Sequence, residues 1–213
     1  MSSRVCALLI LLGTAWLAAP AESQNLIVNG TFDQDLQGWD NTDAASWDME
    51  DANQSSTSGS LWLPSPVDLN TGNLVWQCIA VSGETTYEYG AKFLIPAGQV
   101  GSAQVGVSMS WWETDQCELG GGGPISFAPE INSSETGTWM ELSGDSVSPL
   151  EATGALLFLS NTKTANPVGA VVTQFDDAFV LPEPGGPALV LSTCATLLML
   201  DRRRRDSTRR AGR

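Results

Sequence analysis

Histidine is absent from this sequence. That removes the side chain that most often acts as a general base near neutral pH, and with it the common catalytic zinc sites. Basic residues are nearly absent from the interior. Of ten Lys and Arg, Arg4 stands near the start and seven arginines follow residue 200, which leaves Lys92 and Lys163. Against these two lysines stand 21 Asp and Glu between Glu22 and Leu181, a formal charge of −19 for that stretch. Such a surface repels nucleic acid and anionic lipid. It suits neutral ligands or divalent cations, and it also keeps a protein soluble. No segment sustains a 3.6-residue apolar period, so a helical bundle is excluded, and there is no internal repeat. No apolar run reaches the roughly 20 residues of a stable bilayer span.

Two shorter apolar runs mark the ends. Met1–Ala21 carries Arg4, then Val5–Leu12, and closes on Ala19-Pro20-Ala21. Residues 1–21 are therefore expected to be a cleaved secretion signal. Cys6 lies in that segment and Cys194 in the tail, which leaves Cys78 and Cys117 in a compartment where disulfides persist. A bridge is expected over two free thiols. It would close a loop of roughly 40 residues, worth about 4 kcal/mol in the chain-entropy model.

Between the ends the chain reads as strands separated by Gly, Ser, Asn and Pro clusters. The expected strands are Leu26–Val28, Ser46–Met49, Ser60–Leu63, Leu74–Val81, Thr86–Ile95, Gln104–Trp112, Trp139–Leu142, Ala155–Ser160 and Val171–Leu181. Val105, Val107 and Met109 alternate with Gly106 and Ser108, as a half-buried strand requires. Leu156–Leu159 is continuously apolar, which places that strand at the centre of a sheet. Turns are expected at Ser82-Gly83-Glu84, at Pro96-Ala97-Gly98 and over Asn161–Pro167. Gly120–Gly123 lacks the Lys-Ser/Thr of a phosphate loop and reads as a flexible linker. The fold class is all-β, a two-sheet sandwich over residues 25–181.

Four stretches carry a family resemblance. Asn25-Leu26-Ile27-Val28-Asn29-Gly30-Thr31-Phe32-Asp33, with Leu36-Gln37-Gly38-Trp39 after it, resembles the opening of the cellulose- and xylan-binding modules of families four and nine. Gly83-Glu84-Thr85-Thr86-Tyr87, Gly137-Thr138-Trp139-Met140-Glu141-Leu142-Ser143-Gly144 and Phe175-Asp176-Asp177-Ala178-Phe179-Val180 resemble later motifs of the group, in the same order. The resemblance implies a galactose-binding-like jelly roll. It also implies a structural Ca²⁺ that joins the first and last strands through Thr31, Gly59 and Asp176, with Asp33 as an addition. Carbonyl and carboxylate oxygens are the ligands calcium takes. The alternative for Asp176-Asp177 is a solvated acid pair at a sheet edge.

Carbohydrate modules offer aromatic faces to pyranose C–H faces, flanked by amides and carboxylates for the hydroxyls. The domain has Trp39, Trp47, Trp62, Trp76, Trp111, Trp112 and Trp139. Trp39 and Trp139 lie in the family motifs and are expected to pack. Adjacent residues on a strand face opposite ways, so at most one of Trp111 and Trp112 is in the core. The other, beside Glu113, Asp115 and Gln116, is a sugar-binding candidate, and Trp47 near Asp48 and Glu50 is a second.

At the C-terminus Pro182-Glu183-Pro184 precedes the apolar run Pro187–Leu200 and then Arg202, Arg203, Arg204 and Arg205. This order over residues 182–205 resembles the PEP-CTERM sorting signal of exosortase substrates, which implies a sorting protease of the exosortase type. The arginines would stay cytoplasmic, with 206–213 as a basic cytoplasmic tail. Fourteen apolar residues make about 21 Å of helix, short of a roughly 30 Å hydrocarbon core, which favours transient membrane retention over a permanent span. The ordinary C-terminal anchor is the alternative.

The expected protein is thus an exported, non-catalytic surface or matrix protein that binds polysaccharide or exopolysaccharide. A glycoside hydrolase using acids such as Glu113, Glu130 or Glu141 is the rival, and a surface protein without sugar binding is the third possibility.

Overall fold

The computed structural model describes residues 23–117, 124–134, 137–165 and 169–183. The expected secretion signal, the expected Gly120–Gly123 linker, the apolar and arginine parts of the expected sorting segment and the expected basic tail lie outside the described residues. Only Pro182 and Glu183 of the sorting motif fall within them.

Ten strands follow in chain order: β1 Ser46–Asp48, β2 Ser60–Pro64, β3 Gly72–Ala80, β4 Thr86–Leu94, β5 Ser102–Trp112, β6 Ser126–Phe127, β7 Ile131–Ser133, β8 Met140–Val147, β9 Gly154–Ala165 and β10 Val172–Pro182. They form two antiparallel sheets. The first runs β1-β2-β10-β4-β8, and the second runs β3-β9-β5 with both β6 and β7 on the far side of β5. This is the jelly-roll sandwich. Among the described residues the one helical element is a single turn of 3₁₀ helix, Thr42–Ala44.

Alternation decides what lies between the sheets. Leu61, Leu63, Tyr89, Ala91, Phe93 and Phe175 of the first sheet meet Val75, Val105, Val107, Met109, Leu157 and Leu159 of the second, and all are fully buried. Trp111 joins them, 1 % exposed, with its ring 5.7 Å from Tyr87. β9 sits between β3 and β5, as its apolar run requires. Cys78 and Cys117 are bridged across a Cα separation of 6.0 Å, which ties the chain after β5 to β3.

Two expectations fail for identifiable reasons. Leu26–Val28 is not a strand. Its main-chain bond to β10 runs from Leu26 N to Val180 O, and the side chain of Asn25 takes the other positions: Nδ2 donates to Ala178 O, while Oδ1 accepts from Val180 N, each at 3.0 Å. The expected turn over Asn161–Pro167 is largely strand, since β9 runs to Ala165. Asn161 and Lys163 are fully buried there because main-chain carbonyls receive their polar ends. Asn161 Nδ2 donates to Leu63 O and Val171 O at 2.7 and 2.8 Å, and Lys163 Nζ donates to Val67 O at 2.9 Å and to Gly169 O. The short strands β6 and β7 were not foreseen; each is only two or three residues long.

The bridge closes a 39-residue separation. Replacing both cysteines with serine in the full-length protein should cost about 2–5 kcal/mol. This would be read as a lower guanidinium midpoint at unchanged slope. An unchanged midpoint would mean the bridge contributes nothing to stability.

Candidate functional site

The outward face of the second sheet is the most unusual surface of the domain. On β3 the side chains opposite Val75 and Ile79 are Trp76 and Cys78. On β9, opposite Leu157 and Leu159, they are Leu156, Phe158 and Ser160. On β5, opposite Val107 and Met109, they are Ser108, Ser110 and Trp112. Registry places Trp76, Phe158 and Ser108 in one cross-strand row, and Cys78, Leu156 and Ser110 in the next. Trp76 and Phe158 meet at 6.3 Å and 54°. Trp112, Cys117 and Leu156 form a small buried cluster beneath, with Trp76, Cys78 and Phe158 packed on it. Phe127, 70 % exposed, rises opposite Ser110. Trp76, Phe158, Leu156, Ser110, Trp112, Cys117 and Phe127, together with Pro124, line an open pocket of about 320 Å³. The disulfide is thus part of the pocket floor.

One of the predicted sugar-contact residues lies here. Trp112 faces the pocket, although it is 4 % exposed and its Nε1 donates to Ser110 Oγ at 2.9 Å. Trp111 does not, because its place in the alternation turns it into the core. Glu113 and Gln116 stand exposed in the turn after β5. Trp39 is buried as expected, stacked 5.4 Å from Phe32, whereas Trp139 is half-buried just before β8. Trp76, the central aromatic residue, was not singled out. Its strand is apolar on both faces, which hides its orientation. The signal that could have found it is its spacing of two from Cys78, which places it on the disulfide's face.

Trp47 belongs to a different place. The segment between β1 and β2 folds over β10, and Trp47 Nε1 donates to Phe32 O at 2.7 Å while Gly59 N donates to the same oxygen at 3.1 Å. The indole lies flat on Gly59, where a Cβ would come within 2.6 Å of the ring, so no other residue fits. This pocket, about 540 Å³, is larger but has Trp47 as its one aromatic wall, with Asp33, Gln34, Met49 and Ser55–Ser58. Size alone does not make it the better sugar site, since a single ring offers one stacking face.

Beneath the same segment lies an acidic cluster. Asp176 is fully buried at an irregularity of β10, accepting from Ala52 N at 2.9 Å and from Asp177 N at 2.7 Å. Burial raises its pKa to about 7, with the negative charges of Asp177 and Asp51 adding to the shift and the two N–H bonds opposing it. Burial would raise Asp51 too, but the Ser58 hydroxyl and the N–H groups of Ser55 and Asn53 hold it below the ordinary value. Lys92 bonds Asp177 and Asn53 at 2.8 and 2.7 Å, and the Asp177 bond raises its own pKa. On the outward face of the first sheet shared with Asp176, Ser60 Oγ and both polar atoms of Gln174 are buried without partners. A buried carboxylate beside orphaned oxygens is a setting that a hard cation fits. Of the other predicted calcium residues, Gly59 is joined to the N-terminal segment through Phe32. Thr31 is exposed, its hydroxyl donating to Asp33 Oδ1 at 2.8 Å. Among the described residues no three His, Cys, Asp or Glu side chains converge on one metal position.

No protein-family model matches the sequence, and no curated protein matches it. Solved structures do share its fold. A family 16 carbohydrate-binding module is similar at TM-score 0.52 and 20 % identity, over 74 % of this chain and 99 % of that one. The CBM22-1 xylan-binding domain of Paenibacillus barcinonensis Xyn10C is similar at TM-score 0.52 and 17 % identity, over 79 % of this chain and 100 % of that one. The CBM22-1-GH10 modules of Clostridium thermocellum xylanase 10B, complexed with xylohexaose, are similar at TM-score 0.52 and 14 % identity, over 76 % of this chain and 29 % of that one.

The raised pKa of Asp176 fixes the sign of a pH effect. The folded state holds the proton more tightly than the unfolded chain, whose Asp titrates near about 3.9. That contribution to stability is complete below about pH 4 and is lost as pH rises through about 7. In chelator, the melting temperature should fall between about pH 5 and about pH 8, and Asp176→Asn should flatten the fall. Equal slopes for the two proteins would mean that this carboxyl does not titrate there.

Proposed function

We propose that residues 25–181 are a non-catalytic carbohydrate-binding module that holds a polysaccharide on the outward face of its second sheet. The observation that carries this is the row of Trp76 and Phe158 above Trp112, facing outward beside Ser108 and Ser110. Aromatic faces bordered by hydroxyls are what a pyranose ring needs. The carbohydrate-binding modules with the same fold support the reading.

Glu113 and Glu130, two of the acids that hydrolysis could use, stand too far apart to form a pair. Glu113 follows β5 and Glu141 lies on β8 of the other sheet. Glu130 is level with Gly106, seven residues of strand from Glu113, or roughly 23 Å at 3.3 Å per residue. A glycosidase places its two carboxyls about 5–9.5 Å apart.

The proposal has two further parts. A Ca²⁺ ion held by Asp176, with oxygens of Thr31, Asp33 and Gly59, would neutralise the buried acid and clamp the β1–β2 segment to β10. The N-terminal signal and the Pro-Glu-Pro tail make this an exported protein, sorted at the membrane by an exosortase-type protease and released to the cell surface or matrix.

Trp76→Ala in the full-length protein should weaken retention on soluble neutral glycans, xylan among them, by about tenfold or more in affinity electrophoresis. Trp47→Ala should leave retention unchanged. The opposite result would move the site to the pocket over β10, and retention of neither the parent nor the variants would remove the sugar-binding function.

A further inference from the structure

At one end of the aromatic row the sheet opens into a notch. Gly106 faces outward between Val105 and Val107, and its cross-strand neighbours are Ser160 on β9 and Asn132 on β7. A Cβ at Gly106 would lie 2.6 Å from Ser160 Oγ, 2.7 Å from Glu130 Oε1 and 3.0 Å from Asn132 Oδ1. Three polar side chains from three segments therefore converge on a space that only glycine leaves open. Their engagement differs. Ser160 Oγ donates to Gly106 O at 3.3 Å. Among the described residues, no hydrogen bond or ion pair engages the side chain of Glu130 or Asn132, and both residues are exposed. Convergent acceptors that do not serve the fold are available to a ligand.

The notch, entered by these three oxygens, lies on the same sheet face as the groove. Ser108 of the Trp76–Phe158 row is two residues along β5 from Gly106, and Trp112 is six, or about 20 Å from notch to far wall at 3.3 Å per residue. That is longer than one sugar ring. A bound chain with its face on Trp76 and Phe158 places its next ring over Gly106, where its hydroxyls can donate to the carboxylate and the amide oxygen.

Charge defines the chain's chemistry. The domain has two basic residues. Lys92 is paired with Asp177 on the other sheet, and Lys163 is buried against main-chain carbonyls. No cation is left to neutralise a uronate or a sulfate, and Glu130 repels one at the notch.

On the basis of the sugar-binding reading above, we infer that Gly106, Glu130, Asn132 and Ser160 form a polar subsite that selects a neutral oligosaccharide long enough to extend past the aromatic row. The test is calorimetric titration of the full-length protein with neutral oligosaccharides of increasing length, beside a uronate-containing series. Gly106→Ala fills the notch by displacing the ends of flexible side chains, so the fold survives, which an unchanged melting temperature verifies. Glu130→Gln keeps the shape and removes the charge. Both variants should lose about tenfold for long neutral chains and nothing for the shortest that binds, with Trp76→Ala losing both. Glu130→Gln should also narrow the gap between neutral and acidic series. If Trp76→Ala abolishes binding while Gly106→Ala and Glu130→Gln match the parent at every length, the notch is overturned and the aromatic site stands. If the parent binds no glycan in either series, both fall.

Discussion

The structure depends on a strand that is apolar on both sides. Ala155, Leu157 and Leu159 of β9 face the sandwich core, while Leu156 and Phe158 face away from it. A two-layer sandwich ordinarily buries one face of each sheet and leaves the other to water, with polar side chains. Here the outward face must also be covered. Part of the cover comes from the chain itself: the disulfide draws the turn after β5 across to β3, and Trp112 and Cys117 close over Leu156. The cover stops short of Trp76, Phe158 and Phe127, so the second sheet keeps an apolar groove where a sandwich of its size has no structural need of one. The groove is the remainder of an incomplete third layer.

The first sheet solves the same problem with polar groups. Its outward face is covered by the β1–β2 segment, which lands on Asp176 through Ala52 N and on Asp177 through Asn53 Nδ2 at 2.9 and 2.8 Å. Such a lid is cohesive only while the buried charge beneath it is compensated, since an uncompensated carboxylate in a dry site costs several kcal/mol. Proton uptake and cation binding are two ways to supply that compensation. This face therefore carries a carboxyl whose pKa is raised to about 7, whereas the other, built from rings, hydroxyls and a disulfide, has little to titrate. The buried acid and the proposed sugar groove lie on opposite sides of one core.

Much of this architecture was legible because strand alternation is a local property. Val105, Val107 and Met109 announced the inward face of β5, and the apolar run of β9 announced a central strand. The pair Cys78 and Cys117 followed from counting thiols in a chain expected to be exported. What escaped was set by distant partners. Asn161 and Lys163 read as turn residues because their polarity is visible in sequence, whereas the carbonyls of Leu63, Val67, Val171 and Gly169 that satisfy them are not. Of the adjacent pair Trp111 and Trp112, Trp111 continues the inward series of Val105, Val107 and Met109, so its place could have been read by extending that phase. The acid and the amide beside Gly106 could not, because a distant segment carries them. Glu130 and Asn132 are brought to Gly106 by β7, a strand of three residues with no sequence signature of its own.

The acidity of the chain also acquires a location. The strongest concentration of negative charge described here, Asp51, Asp176 and Asp177, lies on the first sheet and is held by main-chain N–H groups, Ser58 and Lys92. The groove on the second sheet is close to neutral, with Glu130 at its edge. Attraction of a sugar there owes little to long-range fields, which at physiological salt fade over about 8 Å. What the net charge contributes is exclusion, since every approach to the groove passes a surface that disfavours anions. Under the proposed reading, affinity rests on contact between rings and on hydroxyls finding acceptors, and the carboxylate of Glu130 adds local repulsion of charged glycans to that of the acidic surface.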